Sequence, residues 1–380
     1  MTSKLEELIA ELCPNGVEYK ALSDVSDMKR GTTVTKKSVN PGDIPVISGG
    51  REPAYYCDIS NRNGETITVA GSGAGAGFVQ YWDKPIFVCD AFSVKGVNDL
   101  TLTKFLYYVL LSKQEAIYAT KKGGGVPHVH ISSIKDFEIP VPPLEVQAEI
   151  VRILDTFTEL TAELTAELTD RKKQYEYYRD TLLTFNDNNP LHSLISRYCP
   201  NGVEYKKLGD IAFISTGSKL SDIQESPSLY EYINAGTTNS GYSLDWNCDG
   251  DVVTTPSRGQ GGIGYVGYQK NKFWLGPLCY KIAGNADFVL NKYLYYCLSN
   301  NSYAILSLKK DGGVPAINKS DLEELVLPIP PLEVQNQIVQ ILDRFDALCN
   351  DLTQGLPAEI EARRKQYEYY RDQLLTFKRA

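Results

Sequence analysis

The chain carries one frame twice. LCPNGVEYKAL at 12–22 returns as YCPNGVEYKKL at 198–208, and GGVPHVHISSIKDFEIPVPPLEVQ at 124–147 returns as GGVPAINKSDLEELVLPIPPLEVQ at 312–335. RKKQYEYYRDTLLTF at 171–185 returns as RRKQYEYYRDQLLTF at 363–377. A repeat of this size requires a fold built from two equivalent modules. The copies match at their edges and differ in their middles. Residues 23–122 and 209–310 share a Gly-rich turn (GSGAGAGFV at 71–79, SRGQGGIGYV at 257–266) and an apolar helix (KFLYYVLLS at 104–112, KYLYYCLSN at 292–300), and otherwise only scattered features. Matched frames around unmatched centres point to one scaffold that reads two different things.

Each copy opens with a short helix, in which Leu5, Leu8 and Ile9 correspond to Leu191, Leu194 and Ile195. Short β-rich runs such as ETITVAG and DVVTTP follow between Gly, Asn and Pro turns. One helix near 103–120, and its partner near 291–308, closes each middle. VPPLEVQ and IPPLEVQ then start long helices, because the prolines set an extended entry and suit a first helical turn. An apolar stripe at spacings of three and four runs through Ile150, Leu154, Phe157, Leu160, Leu164, Leu168, Tyr175 and Leu182. It recurs through Ile338, Leu342, Phe345, Leu348, Leu352, Leu356, Tyr367 and Leu374. That spacing predicts helices packed side by side, continuous to Phe185 in the first copy and broken at Pro357 in the second.

The expected class is therefore α+β: two tandem α/β domains joined by long antiparallel helices with pseudo-two-fold internal symmetry. The boundaries are 1–143 for the first domain, 144–189 for a helical spacer, 190–331 for the second domain and 332–380 for a second helical region. If the two modules read one DNA duplex, they must sit near whole-turn spacing, about 34–36 Å or a multiple, to meet the same face. This geometry suits a bipartite site.

Net charge is −8, which argues against a non-specific, charge-driven nucleic-acid binder. The excess acid is local: residues 140–189 hold −5, whereas 1–139, 190–327 and 328–380 hold −1 each. Near-neutral domains can still present a basic face, since binding depends on local potential. The eight cysteines form no CxxC pair, so reduced structural thiols in a cytoplasmic protein are expected rather than a zinc ribbon. The start MTSKLEELIAEL lacks the basic residues and apolar run of a signal peptide, and no run approaches the length of a membrane span.

The candidate DNA-contacting residues lie on turns and loops. GSGAGAG has neither P-loop nor dinucleotide-fold spacing, so a tight turn between strands is the simpler reading. Its counterpart carries Arg258 and Gln260, which have the geometry to bridge guanine and adenine respectively. Lys121 and Lys122, like Lys309 and Lys310, precede flexible glycines; they suit either a phosphate grip or a solvated helix end. His128 and His130 lack an accompanying ligand set, and Ala316 and Asn318 replace them in the second copy. A polar loop or DNA contact is favoured over a metal site, and no metal is expected. Lys36, Lys37, Ser72 and Lys219 complete the set. The QYEYYRD blocks repeat more faithfully than core filling requires, which favours Tyr175, Tyr178, Arg179, Tyr367, Tyr370 and Arg371 as a symmetric partner surface over tyrosines that merely line the helix pair. No adenine-methylation motif, HExxH, GxSxG or Cys–His signature is present, and the ExK of VEYK lacks the Pro-Asp that would make it a nuclease pattern. This disfavours a single-chain methyltransferase or nuclease. A partner-binding scaffold without DNA reading is the other alternative.

PPLEVQ leading into a long helix that ends in RKQYEYYRDxLLTF, twice, each time after a CPNGVEYKxL-headed variable domain, resembles the specificity subunit of a type I restriction–modification enzyme. The resemblance spans essentially the whole chain. It implies two target-recognition domains that each read half of a split, asymmetric DNA sequence, with helical regions as spacer and docking surface. It further implies two methyltransferase subunits and additional restriction subunits as partners, no catalytic residue in this chain, and S-adenosylmethionine, ATP and Mg2+ bound by those partners. The family's base contacts vary between members, so none transfers by position.

Overall fold

The computed structural model describes residues 3–97, 99–259, 261–310 and 314–380. Two compact units result: Met1–Thr165 with Glu359–Ala380, and Ala166–Ala358.

The units are built alike. In unit 1 the run TITVA, bounded by Gly64 and Gly71, gives a strand buried at all five positions, Thr66–Ala70, as β-branched side chains between glycines favour. It lies inside a four-stranded antiparallel sheet in the order Ser26–Arg30, Ala91–Gly96, Thr66–Ala70, Val79–Trp82. A second sheet pairs Ile44–Ile47 antiparallel with Tyr55–Cys57 and parallel with Phe87–Val88. Unit 2 repeats both, with Ala212–Thr216, Cys279–Gly284, Val252–Pro256 and Gly267–Gln269 in one sheet and Tyr242–Ser243, Tyr230–Ile233 and Phe273–Leu275 in the other. The VEYK segments are strands, paired with Glu138–Val141 and Val326–Ile329.

Each middle closes with a helix that buries Phe105, Leu106, Tyr108, Val109 and Leu110, or Tyr293, Leu294, Tyr296, Cys297 and Leu298. The single helices expected over 103–120 and 291–308 are each split. Backbone ψ reaches 14° at Lys113 and 21° at Asn301, so Thr103–Ser112 and Asn291–Asn300 end there and short helices follow.

The first long helix runs Leu144–Leu182, 39 residues, about 58 Å at ~1.5 Å per residue. It stops short of Phe185, where the Asn189 Nδ2 shares its two protons among Thr181 O and Leu182 O of the last turn and Thr184 O just beyond it, at 2.9–3.1 Å. The second breaks at Asp351, not at Pro357. Leu332–Asn350 ends where the Asp351 carboxylate accepts from the amides of Thr353 and Gln354, 2.7 and 3.1 Å, an Asx-type turn. A new helix starts at Leu356, with Pro357 in its first turn, where proline is tolerated. Leu352 consequently leaves the apolar stripe and is 80% exposed. The second copy has four more residues between Leu348 and Arg363 than the first has between Leu160 and Arg171. That stretch holds the turn, so the addition does not lengthen a continuous helix.

Each core is completed by the QYEYYRDxLLTF block of the other copy. Leu374 and Leu375, with Tyr367, Tyr370 and Phe377, pack into unit 1. Leu182 and Leu183, with Tyr175, Tyr178 and Phe185, pack into unit 2.

Candidate nucleic-acid interface

Three segments that the sequence flagged separately are one structure. In unit 1, Ser72 of the Gly-rich turn bridges His128, and Lys122 bridges His128 from the other side. The main-chain bonds are Gly73 N to Pro127 O at 3.0 Å, Lys122 N to His128 O at 3.0 Å and Val129 N to Gly71 O at 3.0 Å. Unit 2 repeats the knot: Arg258 and Lys310 both bridge Ala316, with Gly259 N to Pro315 O at 3.0 Å and Ile317 N to Ser257 O at 2.9 Å. Gly73 and Gly77 take φ of 79° and 83°, which side-chain-bearing residues avoid. A fourth loop presses in from the smaller sheet. A Cβ on Gly49 would lie 2.2 Å from Ser72 O, and one on Gly262 would lie 2.2 Å from Ala235 O.

The knots share a backbone and differ in chemistry. In unit 1 the Ser72 hydroxyl donates to the Asp90 carboxylate. His128 and His130 stack with centroids 6.0 Å apart, and His128 Nδ1 lies 2.7 Å from Val126 O, which places a proton on that nitrogen. A cavity of about 310 Å3 beside them is lined by Arg30, Asp90, His128, His130 and Ser132. The register puts Thr216 and Leu278 of unit 2 where unit 1 has Arg30 and Asp90, beside Ala316 and Asn318. Unit 2 instead offers Arg258, exposed and in no ion pair among the described residues. Arg51, which the sequence did not single out, is exposed next to the unit 1 knot with its guanidinium 5.0 Å over Phe78. Nothing in the sequence marks it: the loops after Ile44–Ile47 and Tyr230–Ile233 share one glycine, Gly50 against Gly236, and Thr237 stands opposite Arg51.

The other candidates are placed less uniformly. Lys122 and Lys309 are exposed. Lys121 lies 4.0 Å over the Tyr118 ring, and Lys310 pairs with Asp321 at 2.7 Å. Lys36 and Lys37 are exposed on a loop held by Val34 against Cys89, outside the knot. Lys219 is exposed on another loop. Gln260 lies outside the described residues.

The tyrosines chosen as a partner surface face inward. Tyr175 and Tyr178 pack around Phe345, at 6.4 and 5.1 Å, and Tyr370 stacks on Phe157 at 5.5 Å. Arg179 and Arg371 are partly buried and pair with Asp180 and Asp372, both at 2.8 Å. The outward stripe of the same block is Lys173, Glu176, Tyr177 and Asp180, repeated as Lys365, Glu368, Tyr369 and Asp372. The spacing i, i+3, i+4, i+7 puts each set on one helix face, and Tyr177 and Tyr369 are 64% and 62% exposed.

Among the described residues no group of three or more His, Cys, Asp and Glu side chains is placed to hold a metal ion, and no helix is long and apolar enough to cross a membrane.

Duplicated α/β domains that end in equivalent loop knots of differing chemistry define a protein of two like modules with unlike faces. The type I restriction modification DNA specificity domain matches residues 14–171 and again 200–362. The specificity subunit of the Escherichia coli type I restriction enzyme EcoR124I/EcoR124II is 34% identical over 402 residues, covering 95% of this chain and 94% of its own length. A putative type I restriction enzyme specificity subunit of Haemophilus influenzae is 31% identical, covering 95% and 96%. The crystal structure of the Mycoplasma genitalium type I S subunit superposes with a TM-score of 0.72 at 21% identity, covering 95% and 97%. The chain belongs to the family of type I restriction–modification specificity subunits, with two target-recognition domains.

Proposed function

We propose that this chain selects a bipartite, asymmetric DNA sequence for a type I restriction–modification complex, one half-site through each unit. The observation that carries this is the pair of loop knots: the same main-chain bonds present Ser72, Lys122 and His128 in one unit and Arg258, Lys310 and Ala316 in the other. Equivalent placement with unlike side chains is what reading two different base sequences requires, because base edges in the major groove are distinguished by donor and acceptor pattern. Lys36, Lys37, Lys121, Lys219 and Lys309 supply phosphate contacts, which fix register without reading sequence.

Two methyltransferase subunits dock on this chain, and restriction subunits join that core. The repeated exposed stripe through Tyr177 and Tyr369 supports this reading: exposed positions are not held constant by core packing, so identical residues in both copies suit two copies of one partner. The chain performs no chemistry; S-adenosylmethionine, ATP and Mg2+ act on the partner subunits, in the cytoplasm. Methylome sequencing of a host expressing this chain with its methyltransferase tests the proposal. A single split motif with unlike halves is expected; a contiguous or palindromic motif would overturn it.

A further inference from the structure

We infer that each recognition domain is bolted to its long helix at two points, through Gln147 with Asp155 and through Gln335 with Asp343, and that this joint holds the gap between half-sites to one length. The inference rests on the bipartite reading proposed above.

The first bolt is a buried amide. Gln147 is fully buried; its Oε1 accepts from Leu102 N at 2.9 Å, and its Nε2 donates to Leu100 O and Pro142 O, both at 2.8 Å. Gln335 does the same to Leu290 N at 2.9 Å and to Phe288 O and Pro330 O, both at 2.7 Å. Each glutamine thus ties the start of the long helix to the start of the domain's own helix. The second bolt lies eight residues on, about 12 Å along the helix. The Tyr108 hydroxyl donates to Asp155 at 2.5 Å, and Lys104 pairs with Asp155 at 2.8 Å. In unit 2 the Tyr296 hydroxyl donates to Asp343 at 2.6 Å, and Lys292 lies 3.5 Å from the same oxygen. Each lysine sits over tyrosine: Lys104 is 5.3 Å from the Tyr81 ring, and Lys292 is 4.4 Å from Tyr268 and 4.9 Å from Tyr295.

Two observations make this more than ordinary packing. The middles of the copies share little beyond a Gly-rich turn and this helix, and the helix keeps Lys104, Tyr107 and Tyr108 as Lys292, Tyr295 and Tyr296, joined from the neighbouring strand by Tyr81 and its counterpart Tyr268. Beside the two bolts Val146, Ile150 and Leu154, and in unit 2 Val334, Ile338 and Leu342, are buried in the domain core; apolar contact is non-directional, so the two polar contacts ~12 Å apart are what fix the orientation of that seam. With the second bolt loosened, a slip of about 1 Å over that lever is a tilt of about 5°. Across a domain on the order of 30 Å this displaces the reading loops by about 2–3 Å, close to the ~3.4 Å rise of one base pair.

The test uses the full chain with its methyltransferase subunits, comparing methylomes of the unsubstituted chain, Asp155→Ala with Asp343→Ala, and Tyr108→Phe with Tyr296→Phe. The phenylalanine pair removes two hydroxyls and leaves the packing in place, so it reports on the joint if the alanine pair folds poorly. The unsubstituted chain is expected to methylate one gap length. Both variants are expected to methylate gaps one base pair shorter and longer at least about tenfold more often, with the bases of each half unchanged, since the predicted displacement approaches one step. Asp155→Asn with Asp343→Asn keeps an acceptor for each tyrosine and is expected to restore the single gap. A sharp gap in both variants, whatever their activity or melting temperature, overturns the joint as the determinant of spacing. A contiguous target in the unsubstituted chain overturns the functional reading itself.

Discussion

Arg379 lies over the ring of Tyr19, its guanidinium carbon 4.6 Å from the centroid, while its nitrogens reach the Glu138 carboxylate. The contact holds an extended segment against unit 1: Val17 N donates to Lys378 O at 2.8 Å, and Ala380 N donates to Val17 O at 3.1 Å. Gly16 is enclosed by Lys378 and Arg379, with a Cβ there only 2.7 Å from their carbonyl groups, whereas its counterpart Gly202 has nothing within 4 Å. The two copies are therefore unequal at this edge. Arg379→Ala is expected to speed hydrogen exchange at Val17 and leave Val203 unchanged. Equal rates at Val17 before and after would show that the segment is held without the arginine.

Acid should loosen unit 1 first. The carboxylate of Glu149, bonded by Arg152 and by Lys4 and almost fully buried, titrates at about 2 instead of its ordinary 4.5. A depressed folded value means the stabilisation is complete above pH 4.5 and is lost as the pH falls from there towards 2. Unit 2 has Gln337 at this position. Protection in unit 1, as exchange relative to the intrinsic rate at each pH, should fall from pH 4.5 towards pH 2, and Glu149→Gln should flatten that fall. A Glu149→Gln profile that still falls like the parent's would assign the transition to other groups.

The knots should behave as separate readers. Arg258→Ala is expected to cost about 1–3 kcal/mol of specific DNA affinity and to relax one base in the half-site of unit 2 alone. Arg51→Ala should do so in the other half. Binding titrations and methylomes check both, and relaxation of both halves by either variant would contradict independent reading.

Docking should depend on the exposed tyrosines of the repeated block. Tyr177→Ala with Tyr369→Ala is expected to weaken methyltransferase binding by about 2 kcal/mol or more per site while leaving the melting temperature near the parent's. Pull-down against the methyltransferase subunit, with calorimetry, measures this; undiminished binding would move the docking surface elsewhere.

The first long helix contains TAEL at 161–164 and again at 165–168, inside an unbroken helical stretch. Four residues advance a helix by ~6 Å and overshoot a turn by ~40°, so the leucines stay near one face. Deleting residues 165–168 should shorten the gap between half-sites by about one or two base pairs, with the bases unchanged. A methylome with the original gap would show that this helix does not set the distance.

The repeat, the α+β class and the long helices were legible because they rest on local periodicity and on direct identity between copies. What the sequence hid depends on contacts made across distance. Ser72 and His128 are 56 positions apart, and nothing local says that they share a bridge. The repetition of the QYEYYRD block is visible in the sequence. Which of its faces turns outward depends on where Phe157 and Phe345 pack, so residue identity alone does not separate Tyr177 and Tyr369 from their inward neighbours. The break at Asp351 is hard to read because proline is the louder signal, although a carboxylate that caps amides ends a helix as firmly. Gln147 read as one more residue of a helix start, since its partners are main-chain atoms that leave no mark on residue identity.

Gln147 and Gln335 grip carbonyls and amides, which every domain offers whatever its side chains. Recombination between genes that keep the PPLEVQ frame can thus deliver an unrelated middle already carrying part of its attachment, and the Tyr–Lys–Asp contact and an apolar face for Val146, Ile150 and Leu154 are what the frame asks of the newcomer's sequence. A lineage can acquire a new target without first evolving a new way to hold the domain that reads it.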